Sequence, residues 1–246
     1  MNAFVKTTKG NFPNQNFYLA WKGWADTNYE VIKFEEEALE DSSFWINCNR
    51  GTPVFAGVTV FDKVLDKLGV IYNKIDTYPT QLYPFMNRTI EKSTIGQVKE
   101  VWQTWTEKKF MKPIHQKKFN GLQIKSILDW ISLGKVEDSI EVYLTGIVNF
   151  ESEFRIYIQD GEILEGKHYG GNWTKVPDEG VIKEAIKEFG KFSPCAYALD
   201  FGVTDDGKTT LVEFNDATSL GNYGIYHIWY SEMLSARWFE ITYNKL

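Results

Sequence analysis

Tyr197-Ala-Leu-Asp-Phe-Gly-Val203 and Thr209-Thr-Leu-Val-Glu-Phe-Asn215 flank the turn Thr204-Asp-Asp-Gly-Lys208 and read as the two arms of a β-hairpin. With Asp206-Gly207 as a two-residue loop, which the Asp-Gly tolerance of positive φ favours, Asp205 falls opposite Lys208 and Asp200 opposite Glu213. Strand alternation then gives one face with Leu199, Phe201, Val212 and Phe214, and another with Asp200, Gly202, Glu213 and Asn215. The first face is core. On the second, two carboxylates face each other across the ladder, which is repulsive unless a cation lies between them. Asp200, Glu213 and Asn215 are all oxygen donors with no Cys or His beside them in sequence, a set that suits a hard ion such as Mg²⁺ bridging substrate phosphates. The competing reading is the acidic, solvent-facing side of a half-exposed antiparallel pair.

Composition narrows the field. The chain has 246 residues, 43% hydrophobic and 24% charged, enough for a sizeable core in one unit or two modest subdomains. A net charge of −6 comes without the basic stripe that nucleic-acid binding needs. Cys48 and Cys195 are far apart and form no zinc-like cluster with the three histidines; both read as buried thiols, and His115, His168 and His227 as structural or exposed. The first residues lack a signal-peptide core, and no run approaches the ~20 apolar residues of a membrane span. The expectation is a soluble, cytoplasmic protein. Nine tryptophans suggest large core residues over sugar platforms.

Along the chain, Phe17–Trp21, Glu30–Phe34 and Phe44–Cys48 look like short strands opening a mixed α/β region. Residues 59–68 have helical spacing and end at Gly69, before a strand at Val70–Tyr72. A capped helix start at 93–102 places a boundary between an N-terminal region, 1–94, and a second region, 95–246. Strands follow at 109–112, 140–148 and 153–159, the last turning through Asp160-Gly161, with helices at 126–133 and 178–189 and a final one from near Gly224.

Neither a P-loop nor a dinucleotide fingerprint is present, so phosphates would need side-chain cations. Lys112 at a strand end, Lys117 or Lys118 in a turn, and Arg155 on a strand beside Glu153 are available. Each lysine taken singly also reads as an exposed solvating residue, and Glu153 with Arg155 as a surface ion pair.

The order Met111-Lys-Pro113, Lys117-Lys-Phe-Asn-Gly121, Glu153-Phe-Arg155, Asp200-Phe-Gly-Val203 and Val212-Glu-Phe-Asn-Asp216 resembles the ATP-grasp enzymes, and more narrowly their small clade named for one arginine and two lysines. The resemblance spans roughly residues 95 to 230. It implies an α+β protein in which two α+β subdomains grip ATP, preceded by the small mixed α/β N-terminal region, with adenine at the hinge and Mg²⁺ on the triphosphate. Residue by residue, Lys112 and Lys118 resemble the phosphate lysines, with Lys117 an alternative to Lys118. Backbone groups of Ile147 or Val148, in a hinge within 145–149, would meet adenine, and Glu153 the ribose. Arg155 resembles the arginine that meets the γ-phosphate or acyl phosphate, and Asp200, Glu213 and Asn215 match the metal ligands. The implied activity is ADP-forming ligation of a small-molecule or peptide carboxylate to an amine through an acyl phosphate. Two other readings stay open: a non-catalytic ATP-binding or interaction module that keeps the fold, and a carbohydrate-active protein using Asp200 and Glu213.

Overall fold

A computed structural model describes residues 1–114 and 119–243. The first unit runs β1 (Asn2–Lys6), α1 (Gln15–Asp26), β2 (Glu30–Phe34), the one-turn helix α2 (Phe44–Asn47), β3 (Val54–Phe55) and α3 (Val58–Lys67). β2 and β3 both pair with β1 in parallel, the pattern that helical crossovers impose. A second unit follows with β4 (Ile90–Thr94), α4 (Ile95–Val101), β5 (Lys109–Pro113), β6 (Leu122–Ile124), α5 (Ile127–Leu133) and β7 (Glu141–Gly146). Its antiparallel sheet has the order β4-β7-β5-β6. The third contains β8 (Phe150–Gln159), β9 (Glu162–Gly171), α6 (Glu179–Phe189), β10 (Ala196–Thr204), β11 (Thr209–Asp216) and α7 (His227–Tyr243), with sheet order β11-β10-β8-β9.

Two of the expected strands are helices. Phe17–Trp21 lies inside α1, where the Asn14 side chain caps the first turn by accepting from the Asn16 N–H at 2.9 Å. Phe17, Ala20, Gly23 and Trp24 are buried, a three-to-four-residue recurrence that the aromatic run obscures. Phe44–Asn47 forms a helical turn behind Asp41, whose carboxylate accepts from the Ser43 N–H at 2.8 Å. Val70–Tyr72 pairs with no strand; this segment leads to Thr77, whose carbonyl accepts from the Phe214 N–H at 3.0 Å. Elsewhere β2, α3, β5, α5 and α6 appear where periodicity places them. α4 begins with the expected cap, a reciprocal box between Thr94 and Gln97.

The hairpin of β10 and β11 differs from expectation in an instructive way. Its turn is one residue wider: Thr204 and Lys208 close it, through Thr204 N–H to the Lys208 carbonyl at 2.9 Å, with Gly207 at φ 81°. That is the three-residue loop ending in a left-handed glycine. The register from the turn pairs Val203 with Thr209 and Phe201 with Leu211, then shifts so that Asp200 pairs with Glu213. The extra residue is Val212, a β-bulge. Asp200 therefore does face Glu213, but Leu211 replaces Val212 on the core face.

Leu199, Phe201, Leu211 and Phe214 pack with Ile156 and Ile158 of β8 and with Ile182, Ile186 and Phe189 of α6. The other face of this sheet is covered at one end, where Tyr157, Ala196 and Ala198 join a core built with α1, β1 and α7. Farther along that face lie Arg155, Asp200 and Glu213, neighbours in register on β8, β10 and β11. Residues 147–149 carry the chain from β7 in one sheet to β8 in the other.

Candidate active site

Arg155, Asp200 and Glu213 form a row across three strands, and Lys112 reaches it from β5 of the facing sheet. Arg155 grips Asp200 with a two-bonded fork, Nε to Oδ1 and Nη2 to Oδ2, each 2.7 Å. Both side chains are nearly sealed, at 6% and 3% exposure. Geometry of this kind is what lets an ion pair survive desolvation. Arg155 is thus neither a free cation nor the surface partner of Glu153. Burial pushes the Asp200 carboxyl up to about 6, while the Arg155 fork works in the opposite direction.

Lys112 donates to Glu213 Oε2 at 2.6 Å. Burial alone would raise the Glu213 carboxyl, but the Lys112 ammonium beside it prevails and holds it below the ordinary range. The same pairing raises Lys112 against its own desolvation. The Asn215 amide donates to Asp200 Oδ2 at 3.2 Å, and Asp200 pairs with Glu213 across the ladder. The three expected metal ligands therefore converge.

The residues present fit a hard cation. Asp200, Glu213 and Asn215 offer only oxygen donors once the Asn215 amide turns its oxygen inward, a choice that side-chain rotation leaves open. Among the described residues no three His, Cys, Asp or Glu side chains gather into a ready-made cage, so the amide is needed as third donor. Two carboxylates and two cations balance one another here. A divalent ion leaves the cluster two charges positive, which a polyphosphate offsets.

Two cavities of about 260 Å³ each lie here, one lined by Lys112 and Glu213 and the other by their neighbours Tyr78 and Val212. One contains Ile147, Val148, Glu153, Val212, Tyr78 and Arg88: flat apolar walls, a connecting segment outside the strand ladders, and one carboxylate. Glu153 accepts from the Tyr169 hydroxyl at 3.0 Å. The other is lined by Lys112 of β5, Glu213 and Asn215 of β11, and the apolar Val58, Ile75 and Leu220. Lys117 and Lys118 lie outside the described residues.

Sequence reasoning overlooked several neighbours. The loop after β11 passes close over Arg155, whose Nη1 donates to the Gly221 carbonyl at 3.3 Å; a Cβ on Gly221 would fall 3.1 Å from that nitrogen. Tyr223, at φ 39°, lays its ring 4.7 Å from the Arg155 guanidinium and stacks on Tyr169. Tyr78 underlies both Lys112 and Arg88, at 4.5 and 5.4 Å. The one available signal was the glycine-bearing loop Asp216–Gly224 itself, which the sequence offers either as a set of backbone N–H groups for a phosphate or carboxylate or as a tight connection; what meets Arg155 is its Gly221 carbonyl.

Comparison with known proteins follows the same lines. The family model of the ATP-grasp domain, family 2 of the clade named for one arginine and two lysines, matches residues 85–233. No curated protein sequence matches significantly. Among solved structures, the ATP-grasp ligase PsnB complexed with precursor peptide PsnA2 and AMPPNP is similar at TM-score 0.55 and 10% identity, covering 96% of each chain. The macrocyclase MdnC bound with precursor peptide MdnA, from Microcystis aeruginosa MRC, is similar at 0.53 and 13% identity, covering 95% of this chain and 99% of that one. D-alanine–D-alanine ligase from Bacillus anthracis reaches 0.58 at 12% identity, covering 98% and 96%. No described helix is long and apolar enough to cross a membrane. With its antiparallel sheets enclosing a cation-lined cleft and the family model spanning most of both, the chain has the ATP-grasp fold and belongs to the one-arginine, two-lysine clade of the ATP-grasp family.

Proposed function

We propose that the protein is an ATP- and Mg²⁺-dependent carboxylate–amine ligase working through an acyl phosphate. The observation that carries the reading is the Lys112–Glu213 bridge, which joins the two sheets and lines one cavity, while Tyr78 beneath Lys112 and Val212 beside Glu213 line the other. Adenine lies in the cavity of Ile147 and Val148, meeting their backbone groups, with the ribose against Glu153. Lys112 and Lys118 hold phosphate oxygens. Asp200, Glu213 and Asn215 hold Mg²⁺, which supplies charge neutralisation on the transferring phosphoryl group.

The substrate carboxylate occupies the second cavity. Its oxygen attacks the γ-phosphorus and ADP leaves; the amine nitrogen then attacks the acyl carbon, phosphate leaves, and the amine proton passes to water. Arg155, fixed by Asp200, presents donors toward the phosphoryl oxygens, so no side-chain nucleophile is required. Peptides bound by PsnB and MdnC make a peptide carboxylate one class to try, alongside small acids.

A second reading, a nucleotide-binding module without turnover, is favoured by one observation. Both oxygens of Asp200 are already engaged, by Arg155 and Asn215. Calorimetric titration with AMPPNP, with and without Mg²⁺, on wild type and Glu213→Gln, tests the first reading. Magnesium-dependent binding weakened by the substitution supports it, and ADP release across carboxylate and amine pairs then separates ligase from module. A folded wild type that binds no nucleotide overturns both.

A further inference from the structure

β11 is the edge strand of its sheet, and edge carbonyls need a partner. At the bulge two consecutive ones find it in Arg88, which donates from Nη1 to the Leu211 carbonyl at 2.9 Å and from Nη2 to that of Val212 at 2.7 Å. Beside it Asn87, at φ 46°, donates to Thr210 Oγ1 at 3.1 Å. This segment connects the third sheet's edge to β4 of the second.

The bulge determines which face the metal-ligand side chains occupy. If the register set at the turn ran on unbroken, Asp200 would pair with Val212, and Glu213 with Leu199. Glu213 and Asn215 would then join the core face, because a one-residue slip inverts every side chain. Val212 supplies the missing residue, and its carbonyl is one of the two that Arg88 holds. The same guanidinium lies over Tyr78, on whose ring the Lys112 ammonium also rests, and with Val212 it walls the nucleotide cavity.

We infer that Arg88 is a positioning residue: by pinning the Val212 bulge it keeps Glu213 and Asn215 on the site face, and it couples occupancy of the adenine cavity to the metal-ligand strand. Its bearing on nucleotide rests on the ligase reading, whereas its hold on the bulge does not. The test measures hydrogen exchange over residues 209–216 together with AMPPNP affinity across a Mg²⁺ series, for wild type, Arg88→Ala and Arg88→Lys.

Arg88→Ala is expected to speed exchange in 209–216 selectively and to weaken magnesium-dependent binding about tenfold, the scale of losing charged-donor bonds. Arg88→Lys keeps the charge but not the fork, and is expected to fall between; it also serves if the alanine variant does not fold. Unchanged exchange in a folded variant overturns the inference. Faster exchange with unaltered magnesium dependence overturns the coupling. A wild type without nucleotide affinity sinks the ligase reading, while the exchange data still decide the hold on the bulge.

Discussion

Two ion pairs sit side by side in this cleft and differ in what they connect. Arg155–Asp200 joins adjacent strands of one sheet through two bonds and is almost sealed. Lys112–Glu213 joins two different sheets through one bond, with Glu213 30% exposed. The first is part of the scaffold and travels with it; the second spans the two sheets at the mouth of the proposed nucleotide site, so on that proposal its partners part or share when nucleotide enters. The site thus combines a preset arginine with a lysine whose companion is replaceable.

The sharpest way to break this contrast is Arg155→Ala. It strands the buried Asp200 carboxylate, and the unfolding free energy is expected to fall by about 3–5 kcal/mol, along with turnover. Denaturant titration checks it, and wild-type stability would place Asp200 in wetter surroundings than 3% exposure allows. Glu213→Gln should show the opposite balance, with turnover down about 10²–10³-fold and stability changed by about 1 kcal/mol or less. Near-normal activity in that variant would remove Glu213 from the metal set. Smallest is Tyr169→Phe, which removes the hydroxyl bonded to Glu153. The KM for ATP is expected to rise about fivefold with kcat unmoved, the scale of one hydrogen bond; a kcat effect would tie the Tyr169–Tyr223 stack to Arg155 instead.

What the sequence made legible was chemistry within neighbouring strands. Asp200 and Glu213 were expected to face each other, and they do, although the turn supposed for them was a residue too short. The bulge at Val212 restores the parity, so two local departures cancel. Periodicity cannot detect such a cancellation, because turn width and bulge enter the pattern with equal weight. Arg88 was invisible for another reason: its bonds reach 123 and 124 residues along the chain, to backbone groups that carry no side-chain signature. The strand expected at Phe17–Trp21 failed because aromatic residues favour strands on average, while an Asn14 cap and the packing of α1 decided for helix.

That packing has a consequence for how the gene can be cut. Gly23 lies so close to α7 that a methyl group in its place would fall 2.1 Å from the His227 carbonyl oxygen, and the Trp24 indole donates to Ser235 at 2.8 Å. The family match begins only at residue 85, yet Met233 and Leu234 of α7 share a core with Ala20 and Trp24. A fragment trimmed to the matched residues 85–233 would cut α7 after Met233 and strip what is left of the α1 surface it packs on, so inheritance of the two large sheets is bound to a helix near the opposite end of the chain.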